Sequence, residues 1–223
     1  MKIQPELPVY NLLIIGANGG IGRQCVAQAL QAGHRVTALL RNPAKLATEH
    51  PNLKKVSGDV MKPGSFETYL ENQDAVISAI GVAGGFGADK PTTLYSQGNA
   101  NILKAMRQKG TQRIFVISAS AIEISPALPF YIRLIEKYII QKLLKHMYAD
   151  LYRMEQTVKT SDTHWTIIRP PQLTDKAQTG NYRIAINTFL KNCLKISRAD
   201  VAHFMLDNIV NEATHKATVE IGY

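Results

Sequence analysis

The chain has 223 residues, 45% of them apolar, and a formal charge of +9. That length suits one α/β domain with an ample core. It holds no apolar stretch of membrane-spanning length, and Met1 to Pro8 lacks the apolar region of a signal peptide.

Two cysteines, Cys25 and Cys193, make neither a disulfide framework nor a metal-binding spacing. A reducing cytoplasm is the expected compartment. The basic residues are spread along the chain, densest between Arg133 and Lys145. No basic arm or aromatic–basic interleaving accompanies them. The charge therefore points to a solvated basic face that attracts small anions, and not to nucleic acid.

In chain order, the apolar run Leu12-Leu13-Ile14-Ile15 predicts a buried strand, and Gly20 to Ala32 predicts a helix. Between them lies Gly16-Ala17-Asn18-Gly19-Gly20-Ile21-Gly22, with glycines at 16, 19 and 22. A glycine turn from strand into helix lets the backbone approach a diphosphate, and the helix end offers free N–H groups and a positive dipole. The next strand is Arg35 to Leu40, ending on Arg41 with Asn42 and Lys45 nearby. An acid for a ribose hydroxyl stands here, about 20 residues past the glycines, in NAD sites. A guanidinium suits a 2′-phosphate instead, so the expected cofactor is NADP(H) over NAD(H).

Further on, Lys54 to Ser57 predicts a short strand, closed by Gly58-Asp59-Val60, and Pro63 to Glu71 predicts a helix. Ala75 to Ala79 is a fourth strand. The loop from Val82 to Pro91, with Gly84, Gly85 and Gly87, has the makings of a lid. Thr92 to Gln108 reads as helix and Arg113 to Ser118 as a fifth strand. Pro129 to Lys159 reads as mostly helical with a break near His146, and Thr163 to Arg169 as a sixth strand, stopped by Pro170-Pro171. A short strand over Tyr182 to Ile186, a helix over Arg198 to Asn211 capped by Ser197, and a strand over Lys216 to Ile221 follow. This alternation predicts a doubly wound parallel sheet, a Rossmann fold, in one domain with a small C-terminal extension on the substrate side.

Ligands of such sheets lie beyond the carboxyl ends of the strands. Asp59 and Val60 are candidates for the adenine, although Asp59 equally suits a turn. Ala79, Ile80 and Gly81 end the fourth strand, where small residues permit close approach. Ser118 and Ser120 end the fifth and are catalytic candidates. Pro170 and Pro171 form a stiff wall. Tyr138 and Lys142 have the Tyr-x-x-x-Lys spacing of a proton-transfer pair, but Tyr138 also shares an apolar helix stripe with Leu134, Ile135, Leu143 and Leu144. The segment 127–147 is apolar and basic together, which suits pocket cover or packing, an oligomer face, or a membrane surface. The six histidines show no metal spacing.

Taken together, the glycine turn, Leu40-Arg41-Asn42, Gly58-Asp59-Val60, Gln73-Asp74-Ala75-Val76-Ile77, Trp165-Thr166-Ile167-Ile168-Arg169-Pro170 and the tail Ile196-Ser197-Arg198-Ala199-Asp200-Val201 resemble the atypical short-chain dehydrogenase/reductases. Within them the chain is most similar to the NmrA-like branch that includes biliverdin IXβ/flavin reductase. The resemblance implies a diphosphate site at Gly16, Asn18, Gly19, Gly20 and Ile21, and a 2′-phosphate site at Arg41. It implies an adenine site at Asp59 and Val60, and ribose and nicotinamide contacts at Ala79, Ile80, Gly81, Ser118, Pro170 and Pro171.

The chain departs from the family at three places. Met147 and Leu151 stand where the Tyr/Lys pair is expected, Ala119 where an active-site serine is expected, and Gln172 where a histidine is expected. The function implied is NADPH-dependent hydride transfer to a flavin, quinone or similar conjugated acceptor. The alternatives are a non-catalytic NADP(H) sensor of the NmrA type, and a carbonyl reductase or epimerase using Tyr138. The expected partner is a small-molecule acceptor, with a monomer or homodimer and no stable membrane insertion.

Overall fold

The computed structural model describes residues 8–82, 90–126 and 128–223. Its strands are β1 (Asn11–Ile15), β2 (Arg35–Leu40), β3 (Leu53–Ser57), β4 (Ala75–Ser78), β5 (Arg113–Ile117), β6 (His164–Arg169), β7 (Gln172–Thr174), β8 (Arg183–Ile186), β9 (Lys195–Ser197) and β10 (Ala217–Gly222). Its helices are α1 (Gly20–Gln31), α2 (Leu94–Lys109), α3 (Phe130–Ile135), α4 (Gln141–Leu143), α5 (Lys145–Lys159) and α6 (Arg198–Asp207).

The main sheet runs β3-β2-β1-β4-β5-β6-β10-β8. All neighbours are parallel except β8, which pairs antiparallel with β10. The order steps outward in both directions from β1 and β4, so the chain reverses winding there, and the carboxyl ends of those strands face a crevice. β7 and β9 form a separate parallel pair.

The strands are apolar on both faces because helices cover both. Leu12 and Ile14 of β1 point into one core with Ile77, Phe115 and Ile168, under α1 and α6. Leu13 and Ile15 point into the other with Val76, Ile114 and Ile167, under α2 and α5. Leu12, Leu13, Ile14 and Ile77 are wholly buried, and each such side chain stabilises the fold by roughly 1.5–3 kcal/mol.

Three predicted elements differ in detail from the structure, and two short strands are additional. Pro63 to Glu71 forms only a 3₁₀ turn, Glu67–Leu70, because Gly64 adopts a φ of +91° that breaks a helical path. The stretch Pro129 to Lys159 contains α3, a wide π turn at Glu136–Ile140, and α4. It then breaks at Leu144 (φ −106°, ψ 19°), two residues before His146. α6 stops at Asp207, short of Asn211, since Asn208 leaves helical geometry at φ −113°. β7 and β9, three residues each, were not anticipated, being too short to show a period. The lid expected around Gly84, Gly85 and Gly87 lies outside the described residues.

Candidate functional site

The β1–α1 turn is tight for reasons of contact. Gly16 has a φ of +77°, and a β-carbon there would stand 2.4 Å from the Ala79 carbonyl oxygen. Gly22 is as constrained, since its β-carbon would meet the Gly16 oxygen at 2.2 Å. The Gly19 N–H donates to the Gly16 carbonyl at 2.8 Å, closing the turn. Ile21 packs into the core and anchors the first helical turn.

α1 then begins with no side-chain cap at Gly19 and no acid in its first turn. Its leading N–H groups have no side-chain acceptor, and Gly19 and Gly20 are exposed. The Asn18 Oδ1 is buried and without a partner, a polar group aimed at nothing the chain supplies. These are the properties of an anion site at a helix N-terminus.

Two arginines reinforce it. Arg23 Nε donates to the Asn18 carbonyl at 2.8 Å. The Arg198 side chain crosses Gly20, its Cδ 2.5 Å from where a β-carbon would sit, and pairs with Asp175 at 2.7 Å. Sequence reasoning did not single out Arg198 as a site residue. Its available signal was its place directly after the cap Ser197, whose Oγ accepts from the Asp200 N–H at 2.9 Å.

Register places the next candidates on the same edge. Ile15 lies beside Leu39, Leu40 beside Ser57, and Ile15 beside Ser78. Arg41 therefore follows β2 next to the glycine turn, and it is exposed. Asn42 beside it is exposed as well, but its Oδ1 is taken up in capping the 3₁₀ turn Pro43–Lys45 through the Ala44 N–H at 3.1 Å. Asp59 follows β3, and its carboxylate accepts from the Met61 N–H at 3.0 Å, a turn-forming contact. Val60 is buried in the core against Gly98, and its carbonyl accepts from Asn101 Nδ2 at 2.7 Å. At β4 the Ala79 N–H extends the ladder to the Ile15 carbonyl at 2.9 Å, and Ile80 packs on Gly98. Next to Gly81, the Val82 N–H donates to Tyr95 Oη at 3.3 Å.

The ends of β5 and β6 are laced together. The Ser118 N–H donates to the Ile168 carbonyl at 2.8 Å, and the Ser120 N–H to the Pro170 carbonyl at 3.1 Å. Pro170 is buried, Pro171 half-buried and Gln172 exposed. The Ser118 hydroxyl is already used, since it donates to Glu155 Oε1 at 2.7 Å. Arg169 grips the same carboxylate with Nε at 2.8 Å and Nη2 at 2.6 Å, while its Nη1 donates to Glu123 at 2.8 Å.

The charges in this cluster hold one another. Burial alone would raise the Glu155 carboxyl, but the Arg169 guanidinium and the Ser118 hydroxyl hold it below its usual range. Burial opposes the Arg169 charge as well, and the two carboxylates more than restore it. Glu155 and Arg169 form a buried pair behind the strand ends while Glu123 reaches the surface, and neither Ser118 nor the Glu155 carboxylate is free.

Tyr138 and Lys142 lie elsewhere. Tyr138 is 53% exposed on the outer side of the π turn, with Lys142 Nζ 5.9 Å from its ring centre. The apolar stripe expected to bury Tyr138 is itself exposed at Leu134, Ile135 and Leu143. Among the described residues, no cluster of metal ligands is present and no helix is long and apolar enough to cross a membrane.

A family model described as NAD(P)H-binding matches residues 16–212. The chain belongs to this NAD(P)H-binding family. The match spans both the glycine turn and the start of α6, the two segments that Arg198 joins. Its relatives include a UPF0659 protein of Schizosaccharomyces pombe, 28% identical over 88% of this chain and 84% of that one. The photosystem II assembly factor Ycf39 of Synechocystis is 30% identical over 53% of this chain and 36% of that protein. A short-chain dehydrogenase/reductase from Veillonella parvula, solved in complex with NADP, superposes with a TM-score of 0.78. That pair is 18% identical, with 97% of this chain and 95% of the other covered, and so shares the fold.

Proposed function

We propose that this family member is an NADPH-dependent reductase that passes hydride directly to a flavin, quinone or similar conjugated acceptor. The observation that carries the reading is the contrast along one sheet edge. An anion site and Arg41 stand at β1 and β2, while the Ser118 hydroxyl at β5 is committed to Glu155. With its hydroxyl held by that carboxylate, Ser118 is not placed as the serine of the Ser–Tyr–Lys proton relay of carbonyl reduction. Transfer to an electron-poor conjugated ring needs orientation more than proton donation.

When bound, the reduced nicotinamide supplies the hydride. Backbone groups of Gly16, Asn18, Gly19, Gly20 and Ile21 would hold the diphosphate, and Arg41 the 2′-phosphate through a bidentate contact. Asp59 and Val60 would border the adenine. Ala79, Ile80 and Gly81 would border the ribose, and Ser118, Pro170 and Pro171 would form the wall on which the nicotinamide rests. The Glu155–Arg169 pair acts as a positioning device, holding the β5 and β6 ends at one fixed spacing.

The test is steady-state NADPH oxidation with FMN and a set of quinones. Acceptor-dependent oxidation well above the free-cofactor rate is expected, with Ser118→Ala retaining turnover within about threefold. A loss of about 100-fold or more would instead make Ser118 a proton-transfer residue, since such groups contribute roughly 10²–10⁴.

A second reading draws on the same immobilised serine. The chain would bind NADP(H) and report its state to a partner without turnover. Tight NADPH binding with no oxidation across the acceptor set would favour it. A carbonyl reductase using Tyr138 would need that exposed hydroxyl at the strand ends, and unchanged turnover in Tyr138→Phe removes it.

A further inference from the structure

From Phe130 to Leu143 the chain forms α3, the π turn and α4 without completely burying one residue. Its inward row is Ile132, Glu136, Ile140 and Leu144, four residues apart and half-buried. Gln141 Nε2 ties the segment to the body through the Ala121 carbonyl at 3.1 Å. The outward side is apolar: Phe130 is 74% exposed, Ile139 57% and Leu143 61%. Contiguous exposed apolar surface of this kind marks a contact site.

The π turn contributes to the pattern. Residues four apart drift around an ordinary α-helix, whose period is about 3.6. The wider i→i+5 turn at Glu136–Ile140 offsets that drift and keeps Tyr138 on the side of Leu134. Arg133, Lys137, Lys142 and Lys145 stand exposed among them, and Glu136, the one acid between residues 124 and 149, faces inward. Arg133 and Lys137 flank a groove of about 440 Å³ also lined by Ile124, Phe130 and Leu134.

We propose that this face lies on an anionic phospholipid surface. The groove pairs cations with an apolar lining, as a phosphate headgroup joined to an acyl chain requires. The exposed rings and aliphatic side chains would enter the headgroup boundary while Arg133, Lys137, Lys142 and Lys145 take the lipid phosphates. The chain's net charge of +9 acts in the same direction. A second copy is the poorer occupant. A two-fold contact would set these four cations against the same four, with Glu136 turned away from them.

The test is co-sedimentation of the full chain with vesicles of phosphatidylcholine alone and of phosphatidylcholine mixed with phosphatidylglycerol, alongside light scattering. The protein should pellet with the mixed vesicles only, and less so as salt rises. Arg133→Glu with Lys137→Glu should weaken that binding by about thirtyfold. Ile139→Ser with Leu143→Ser should weaken it at every salt concentration. All four positions are exposed, and unchanged thermal unfolding confirms intact protein. Absence of vesicle binding at low salt, or equal binding to neutral vesicles, would overturn the proposal. So would a dimer that Arg133→Glu with Lys137→Glu leaves intact and Ile139→Ser with Leu143→Ser dissociates.

Discussion

Arg198 and Arg41 approach the same edge from different parts of the chain, and their expected contributions differ. Arg198 crosses Gly20 at the open end of α1, and its partner Asp175 is 89% exposed, so that pairing is worth little and yields to a stronger anion. The diphosphate is common to both nicotinamide cofactors. Arg198→Ala should therefore weaken NADPH and NADH alike, by about tenfold for a lost charged hydrogen bond. Isothermal calorimetry reads both constants, and a loss confined to one cofactor would contradict the placement. The place of Arg41 at the end of β2 was legible because it directly follows a strand at a fixed interval from the glycines. Arg198 was not, because only the packing of α6 on α1, through Gln28 Nε2 and the Ala199 carbonyl at 2.9 Å, brings it there. Ser118 was legible as a strand-end serine. Its commitment to Glu155 was not, since the carboxylate arrives from α5 and only tertiary contact reveals it. The sequence left Asp59 open between adenine and turn; its Met61 contact is turn-forming and does not bear on the adenine.

At the scale of elements, the β1–α1 joint is the least tolerant. Gly22→Ala would drive a methyl to 2.2 Å from a backbone oxygen that belongs to the turn itself. The expected cost is about 2–3 kcal/mol, or roughly 5–10 °C in Tm for a chain of this size. Gly33→Ala is the comparison: φ is +82° there, but nothing stands within 4 Å, so only backbone strain is added. Scanning calorimetry of the two variants should rank Gly22→Ala as the less stable, and the reverse order would contradict the packing described. The central strands were legible because both faces are covered, so runs such as Leu12-Leu13-Ile14-Ile15 are apolar at successive positions. α1 and α2 were legible because Gly33 and Gly110 stop them. The π turn was hidden because its residues keep an ordinary helical composition, and the short β7–β9 pair depends on a partner about twenty residues away.

Across the whole molecule, Asp200 ties three segments into one unit. Its carboxylate accepts from the Thr179 N–H at 2.8 Å, the Gly180 N–H at 2.9 Å, Ser197 Oγ at 2.9 Å and Tyr223 Oη at 2.6 Å. Burial by itself would raise this group, but the four donors, Tyr223 foremost, draw it down to about 2. The folded value lies below the unfolded one, so the stability Asp200 contributes is complete above about pH 4 and lost as pH falls toward about 2. Asp200→Asn should remove about 2 kcal/mol at neutral pH and flatten the acid side of the stability curve. Thermal unfolding across that range checks it, and an unchanged acid limb would contradict it. The claim on which the rest depends is that the β1–α1 turn and Arg41 together form an NADP(H) site. Calorimetric titration with NADPH and NADH tests it most directly. NADPH should bind at least about tenfold more tightly, and Arg41→Ala should abolish the difference while leaving NADH affinity unchanged. Equal affinity for the two cofactors in the unmodified protein, or no binding of either, would contradict it.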